Sequence, residues 1–286
     1  MVCEGFPYRE ALRLVGLALR EDVGPGDWTT LWTVPPDLRA EGAISAEEEG
    51  VICGLRVAEM VFQEVDPGLS FSPRFRDGER VRPGDVVAVV EGPARGMLTA
   101  ERTALNFLGR LSGIATLTAK FVDAVRGTKA RVLDTRKTTP GWRPLEKYAV
   151  RCGGGENHRM GLYDMVLIKD NHIALAGGIA EAVRRVRESM GSRKLKVEVE
   201  VRTLKELEEA LASGVDRVLL DNMSPGDVKE AVGLVQGKVE VEASGGITLE
   251  NIRKYAEAGV DYISVGAITH SARSLNISMD VRPKGG

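Results

Sequence analysis

Basic excess, long apolar runs and paired cysteines are all missing from this chain of 286 residues. With 39 Lys and Arg against 41 Asp and Glu, the formal charge is −2 and the pI about 6.1. Non-specific binding to nucleic acid needs a basic face, so no nucleic-acid partner is expected. No stretch has the length of a membrane-spanning helix, and the opening residues MVCEGFPYREALRLV lack the basic-then-apolar order of a secretory signal. No membrane partner is expected either. Cys3, Cys53 and Cys152 are odd in number and show no CxxC spacing, which suits a reducing, cytoplasmic setting. His158, His172 and His270 are the only histidines, none with an i, i+4 partner, so a zinc site is not expected. No G-x-x-x-x-G-K-[ST], no G-x-S-x-G and no G-x-G-x-x-G after a first strand occurs, so a P-loop, a nucleophile elbow and a dinucleotide fold lack support.

Lysine is absent before Lys120, and this decides one local question. The pattern G-x-x-V-x-x-G-D-V-V-A at Gly78 to Ala88 is similar to carrier domains bearing biotin or lipoate on a hairpin lysine. Without a lysine, a swinging-arm role falls away. What is present is a hydrophobic content of 43%, ample for a buried core. Apolar spacing predicts a helix over Tyr8–Glu21. A turn at Asp27–Thr30 and short antiparallel strands between residues 40 and 98 follow, with a helix from about Arg56 to Val65. Leu105, Leu108, Leu111, Ile114, Leu117, Phe121 and Val125 recur at helical steps, with Ser112-Gly113 a plausible break into two helices. Arg102 in this stretch reads, on periodicity alone, as an ordinary exposed arginine.

From Arg131 the texture alternates strand and helix. Strands are expected at Arg131–Thr135, Met165–Lys169, Val197–Val201, Val218–Asp221, Val239–Ala243 and Tyr262–Val265. Helices fall between them, one of them spanning Ile173–Met190. Repeated βα units imply a parallel sheet with right-handed crossovers, and apolar strands favour an α/β barrel over an open doubly wound sheet.

Chemistry-bearing side chains crowd the strand exits, where α/β proteins place their sites. Thr135-Arg136-Lys137 follows the first strand and Lys169 the second. A Gly-rich cationic segment between them holds His158 and Arg159. Few acidic residues accompany these cations in the sequence, which suits a small polyanionic ligand. In Val197–Val201 strict alternation puts Glu198 and Glu200 on one face, where buried carboxylates need partners or a metal. Asp221 ends the next strand. Glu200 and Asp221 can hold sugar hydroxyls or Mg²⁺, or else a barrel lysine or arginine. Ser244-Gly245-Gly246 and Ser264-Val265-Gly266 end the last two strands, and paired late glycine turns suit a phosphate.

Taken together, ERTALNFLGRLSGIAT, LDTRKTTPGWRPLEKYAVRCGGGENHR, DMVLIKDNH, EVEV, LLDN, EASGGI and SVGAITHS resemble the quinolinate phosphoribosyltransferase family, in family order and over nearly the whole chain. The resemblance implies an incomplete (β/α) barrel with an N-terminal α/β sandwich domain. It implies boundaries at 1–112 for the sandwich, 113–270 for the barrel and 271–286 for a segment returning to the sandwich. The implied reaction joins quinolinate to phosphoribosyl pyrophosphate (PRPP) with Mg²⁺, giving nicotinate mononucleotide, pyrophosphate and CO₂. A related enzyme acting on nicotinate or another planar acid, and a non-catalytic phosphometabolite sensor, are the alternatives. By motif, Arg136, His158, Arg159 and Lys169 would meet quinolinate, with Thr135 beside them and Arg102 arriving from a partner subunit. Lys137, Glu200 and Asp221 would be the catalytic set, holding pyrophosphate, ribose and Mg²⁺, the last mostly through substrate. Ser244, Gly245, Gly246, Ser264 and Gly266 would cradle the 5′-phosphate. The implied assembly is a homodimer with shared sites, with a hexamer as the larger form.

Overall fold

A computed structural model of the chain describes residues 5–284. It resolves into two compact units, Met1–Ala119 with Thr138–Gly154 and Ile268–Gly286, and Lys120–Lys137 with Gly155–Ala267. Cys3 lies outside the described residues.

The first unit is built on a four-stranded antiparallel sheet. Arg39–Ala46 pairs with Val86–Pro93 on one side and Ile277–Pro283 on the other, and Ser70–Pro73 pairs with Val86–Pro93. Arg39–Ala46 alternates exposed and buried residues at its start, as a strand with one face on a core should. The helices Tyr8–Val23, Leu55–Val65 and Arg143–Cys152 bury apolar side chains in this unit. The expected turn at Asp27 is instead the N-cap of a short helix, Trp28–Thr33: the Asp27 carboxylate accepts from the Thr30 amide at 3.0 Å. Cys53 and Cys152 are both buried here.

The break expected at Ser112-Gly113 does not occur, because Ala94–Ala124 is one helix of 31 residues. Both residues answer to packing rather than to a helix end. The Ser112 hydroxyl receives the Cys53 amide at 2.9 Å and donates to the Cys53 carbonyl at 3.1 Å. A Cβ at Gly113 would stand 2.0 Å from the Arg273 carbonyl oxygen, so only glycine lets the returning tail lie this close. One turn earlier Arg110 donates to the carbonyls of Thr269 (2.6 Å) and Ala272 (2.8 Å) and to the buried carboxylate of Glu146 (2.8 Å).

The second unit carries a six-stranded, wholly parallel sheet. In spatial order its strands are Arg131–Leu133, Tyr262–Ser264, Glu240–Ser244, Arg217–Asp221, Val197–Val201 and Val166–Ile168. Among the described residues the two edge strands do not pair, so the barrel is open. Val132, Ile263, Ala243, Leu220 and Val201 form one buried row across five strands, and Ile168 pairs with Val199 at the edge. The helix expected over Ile173–Met190 is two, Asp170–Ala176 and Ile179–Met190. Gly177 and Gly178, at φ 95° and 138°, turn the chain between them. Among the described residues no helix is long and apolar enough to cross a membrane.

Candidate active site

Because the six strands run one way, their carboxyl ends share one edge of the sheet. Thr135, Arg136 and Lys137 follow Arg131–Leu133, Lys169 follows Val166–Ile168, and Glu200 lies one residue from the end of Val197–Val201. Asp221 ends its strand, Ser244 ends the next with Gly245 and Gly246 after it, and Ser264 ends the last with Gly266 two residues on. Asp221 and Ser244 are register partners, so the carboxylate and the first glycine turn are neighbours.

His158 and Arg159 reach this edge from the connection between the first two strands. That connection is fastened to the first strand by a parallel bridge between Leu133 and Glu156. Asp134, fully buried, then accepts from the Asn157 side chain at 2.6 Å and from the His158 amide at 2.8 Å. Arg159 donates to the Met165 carbonyl at 3.2 Å. Its guanidinium is held below the usual range, first by burial and then by the charge of nearby Arg136. Two like charges are thus kept near each other, one of them partly desolvated.

The expectation of few acids among the cations needs correction, since the acids come from neighbouring strands rather than from adjacent sequence. Lys169 Nζ is 3.3 Å from Glu200 Oε2. Arg202, which the sequence reading missed, contacts Asp170 at 2.9 Å, Asp221 at 3.3 Å and Glu200 at 3.9 Å. Arg136 and Lys137 remain exposed, the Lys137 amide donating to the Thr135 hydroxyl at 3.0 Å. Glu200 and Asp221 therefore keep cationic partners, and their oxygen donors are of the kind a hard cation takes.

Beneath this edge His158 is turned inward, its side chain 7% exposed. Its Nε2 lies 3.2 Å from Glu198 and 3.4 Å from Glu242, both fully buried. Its Nδ1 accepts the Arg159 amide at 2.7 Å. Burial opposes a charge on the ring, but the two carboxylates outweigh it and raise His158 to about 9. Burial, then Glu242, pushes Glu198 up. Glu242 is held down despite its burial by His158, the Ser264 hydroxyl and Arg217, whose guanidinium is 3.2 Å away. The Ser264 side chain is thus engaged below the sheet edge. No linear signal links residues 158, 198 and 242; only the inward alternation of Glu198 hinted at a buried partner.

The Gly245-Gly246 turn depends on a backbone that glycine adopts freely. Gly245 and Gly246 take φ 92° and 62°. A Cβ on Gly245 would meet the Asn222 side chain at 2.3 Å, while one on Gly246 would meet nothing within 4 Å. The Asn251 side chain braces the turn, donating to the Gly246 carbonyl at 2.8 Å and receiving the Thr248 amide at 2.8 Å. Arg102 is exposed on the helix Ala94–Ala124 of the first unit.

Comparison with known proteins agrees with this architecture. Residues 114–280 match the quinolinate phosphoribosyl transferase C-terminal domain and residues 27–112 its N-terminal domain. A tobacco protein (Nicotiana tabacum) named quinolinate phosphoribosyltransferase [decarboxylating] 1b is 46% identical, covering 94% of this chain and 81% of that protein. A probable nicotinate-nucleotide pyrophosphorylase [carboxylating] of Bacillus subtilis is 44% identical, covering 91% and 90%. The solved nicotinate-nucleotide pyrophosphorylase of Francisella tularensis superposes with a TM-score of 0.94 at 41% identity, covering 99% of each chain.

Proposed function

The chain belongs to the quinolinate phosphoribosyltransferase family, and from that premise we propose how its strand-exit edge does the family's work. The enzyme transfers a phosphoribosyl group to quinolinate with decarboxylation, a step of NAD biosynthesis. The observation that carries this for the site is Arg136 and Arg159 set together at the edge that also bears the two glycine turns. A planar dianion fits the first feature and a phosphate the second.

Arg136, Arg159 and Lys169 grip quinolinate's carboxylates. Ser244, Gly245, Gly246 and the turn after Ser264 offer backbone N–H groups to the 5′-phosphate of PRPP. Lys137 faces the pyrophosphate. Glu200 and Asp221 hold the ribose and stabilise the positive charge that develops on its reacting carbon. The pyridine nitrogen bonds to that carbon as the bond to pyrophosphate breaks. The ring nitrogen becomes cationic, so the adjacent carboxylate leaves as CO₂ and its electron pair stays on the ring carbon, which then takes a proton. No protein nucleophile takes part, and positioning supplies much of the rate. Mg²⁺, held by Glu200 and Asp221 largely through substrate, would neutralise phosphate charge.

Arg102 enters the neighbouring subunit's site in a homodimer, supported by its exposure on the first unit. A cytoplasmic setting remains our reading, although some plant relatives are named chloroplastic or mitochondrial. The test is incubation with quinolinate, PRPP and Mg²⁺. Nicotinate mononucleotide and CO₂ are expected in equal amounts; a folded protein that makes neither refutes the reading. Turnover of nicotinate in preference to quinolinate would point to the related-enzyme alternative.

A further inference from the structure

We propose that Glu242 is a positioning residue for quinolinate binding: through the His158 ring it fixes the backbone that carries Arg159 beside Arg136. The inference rests on the reading of Arg136 and Arg159 just given. It also gives His158 a supporting place rather than a seat against the substrate.

The argument starts from the ring. Both nitrogens of His158 are engaged inside the protein, Nε2 with the carboxylates of Glu198 and Glu242 and Nδ1 with the Arg159 amide. An Nδ1 that receives an N–H carries a lone pair, so the ring's proton sits on Nε2 and points at the acids. Neither nitrogen is turned toward a ligand at the sheet edge. What the ring does is join two things: the strand Glu240–Ser244, through Glu242, and the amide of Arg159, one residue on. Asp134 holds the same segment from the first strand, through Asn157 and the His158 amide.

The cluster has to be this rigid because of what it displays. Arg159 and Arg136 repel each other, and a flexible loop would let them part. Held together before the ligand arrives, they present a prepaid anion site.

The two acids are not equivalent. Glu242 has Arg217 at 3.2 Å and the Ser264 hydroxyl as further partners, so its charge is supported. Neither oxygen of Glu198 has a well-aligned hydrogen bond, although it is fully buried. The same three groups are spaced for a metal ion, but the Arg217 guanidinium already stands 3.2 Å from Glu242 and supplies positive charge there. Glu242 is therefore the braced anchor of the ring, and Glu198 its less supported neighbour.

The experiment compares Glu242→Gln and Glu198→Gln in the full-length protein. Calorimetry measures quinolinate and PRPP binding separately, and circular dichroism checks the fold. Glu242→Gln should weaken quinolinate by about tenfold or more while PRPP changes by less than about threefold. Glu198→Gln, which removes the acid without braced partners, should leave both within about threefold. Equal losses for the two ligands, no loss for quinolinate, or greater damage from Glu198→Gln would overturn the inference. A stoichiometric metal retained by the purified protein would overturn it too. If Glu242→Gln does not fold, Glu242→Asp keeps the charge one methylene shorter and should show a smaller loss, again confined to quinolinate. Wild-type protein that binds no quinolinate, or an Arg159→Ala variant that binds it normally, would fault the proposed function instead.

Discussion

Replacing Gly113 by alanine should destabilise the first unit, against the ordinary rule for helices. Inside a helix, Gly→Ala normally stabilises by about 0.8–1.0 kcal/mol. Here the new Cβ would lie 2.0 Å from the Arg273 carbonyl oxygen, 2.9 Å from its carbon and 3.0 Å from the Ser274 Cα. All three are backbone atoms, so no side chain can swing aside. The tail must retreat by roughly 1 Å to restore ordinary contact distances. That retreat pulls on the Leu275 amide, which donates to the Gly109 carbonyl at 2.9 Å, and on the Arg110 contacts to Thr269 and Ala272. Overpacking of this kind costs about 1–3 kcal/mol and a lost hydrogen bond about 0.5–1.5, which outweighs the helix gain. The net expectation is a loss of about 1–3 kcal/mol. Urea unfolding followed by tryptophan fluorescence reads the right part, because Trp28, Trp32 and Trp142 all belong to the first unit. Gly233→Ala is the control: this helical glycine has nothing within 4 Å of its would-be Cβ, and the change should stabilise by about 0.5–1 kcal/mol by circular dichroism. If Gly113→Ala raises the midpoint as Gly233→Ala does, the packing argument is wrong.

Two further outcomes are expected. Arg136→Ala should cost quinolinate binding about 1.5–3 kcal/mol by calorimetry and PRPP binding much less; equal losses would contradict its place in the site. The His158 cluster ties stability to pH. Its folded value of about 9 lies above the reference of 6.5, so its contribution is complete below pH 6.5 and is lost as pH rises through 9. The loss is at most about 3 kcal/mol, whichever member holds the proton, and urea midpoints at pH 6.5 and 9.5 would measure it. A flat profile between those values would mean the carboxylates do not favour the proton.

What a sequence shows of such a molecule depends on distance along the chain. The alternation from Arg131 to Gly266 is local, and the six strands fell where the apolar runs lie. The glycine turns were equally legible, since Gly245 and Gly246 need a backbone conformation that other residues avoid. Ser112-Gly113 misled because a glycine required by a distant carbonyl looks the same as a helix stop. Gly177-Gly178 went unremarked inside a run whose apolar spacing continues across it. The charge balance of the site was illegible for the same reason. Glu200 meets Lys169, and Arg202 meets Asp170 and Asp221, only once separate strands lie side by side. Reading cations against their sequence neighbours overstated the surplus.

The thiols of Cys53 and Cys152, both sealed inside the first unit, amount to a clock wound into the molecule. A thiol-specific dye reacts with them only when that unit opens. In a Cys3→Ser background, the dye's progress in native buffer times those openings without any denaturant. Adding substrates then reveals whether loading the enzyme slows the breathing of a part that contains none of the second unit's chemistry.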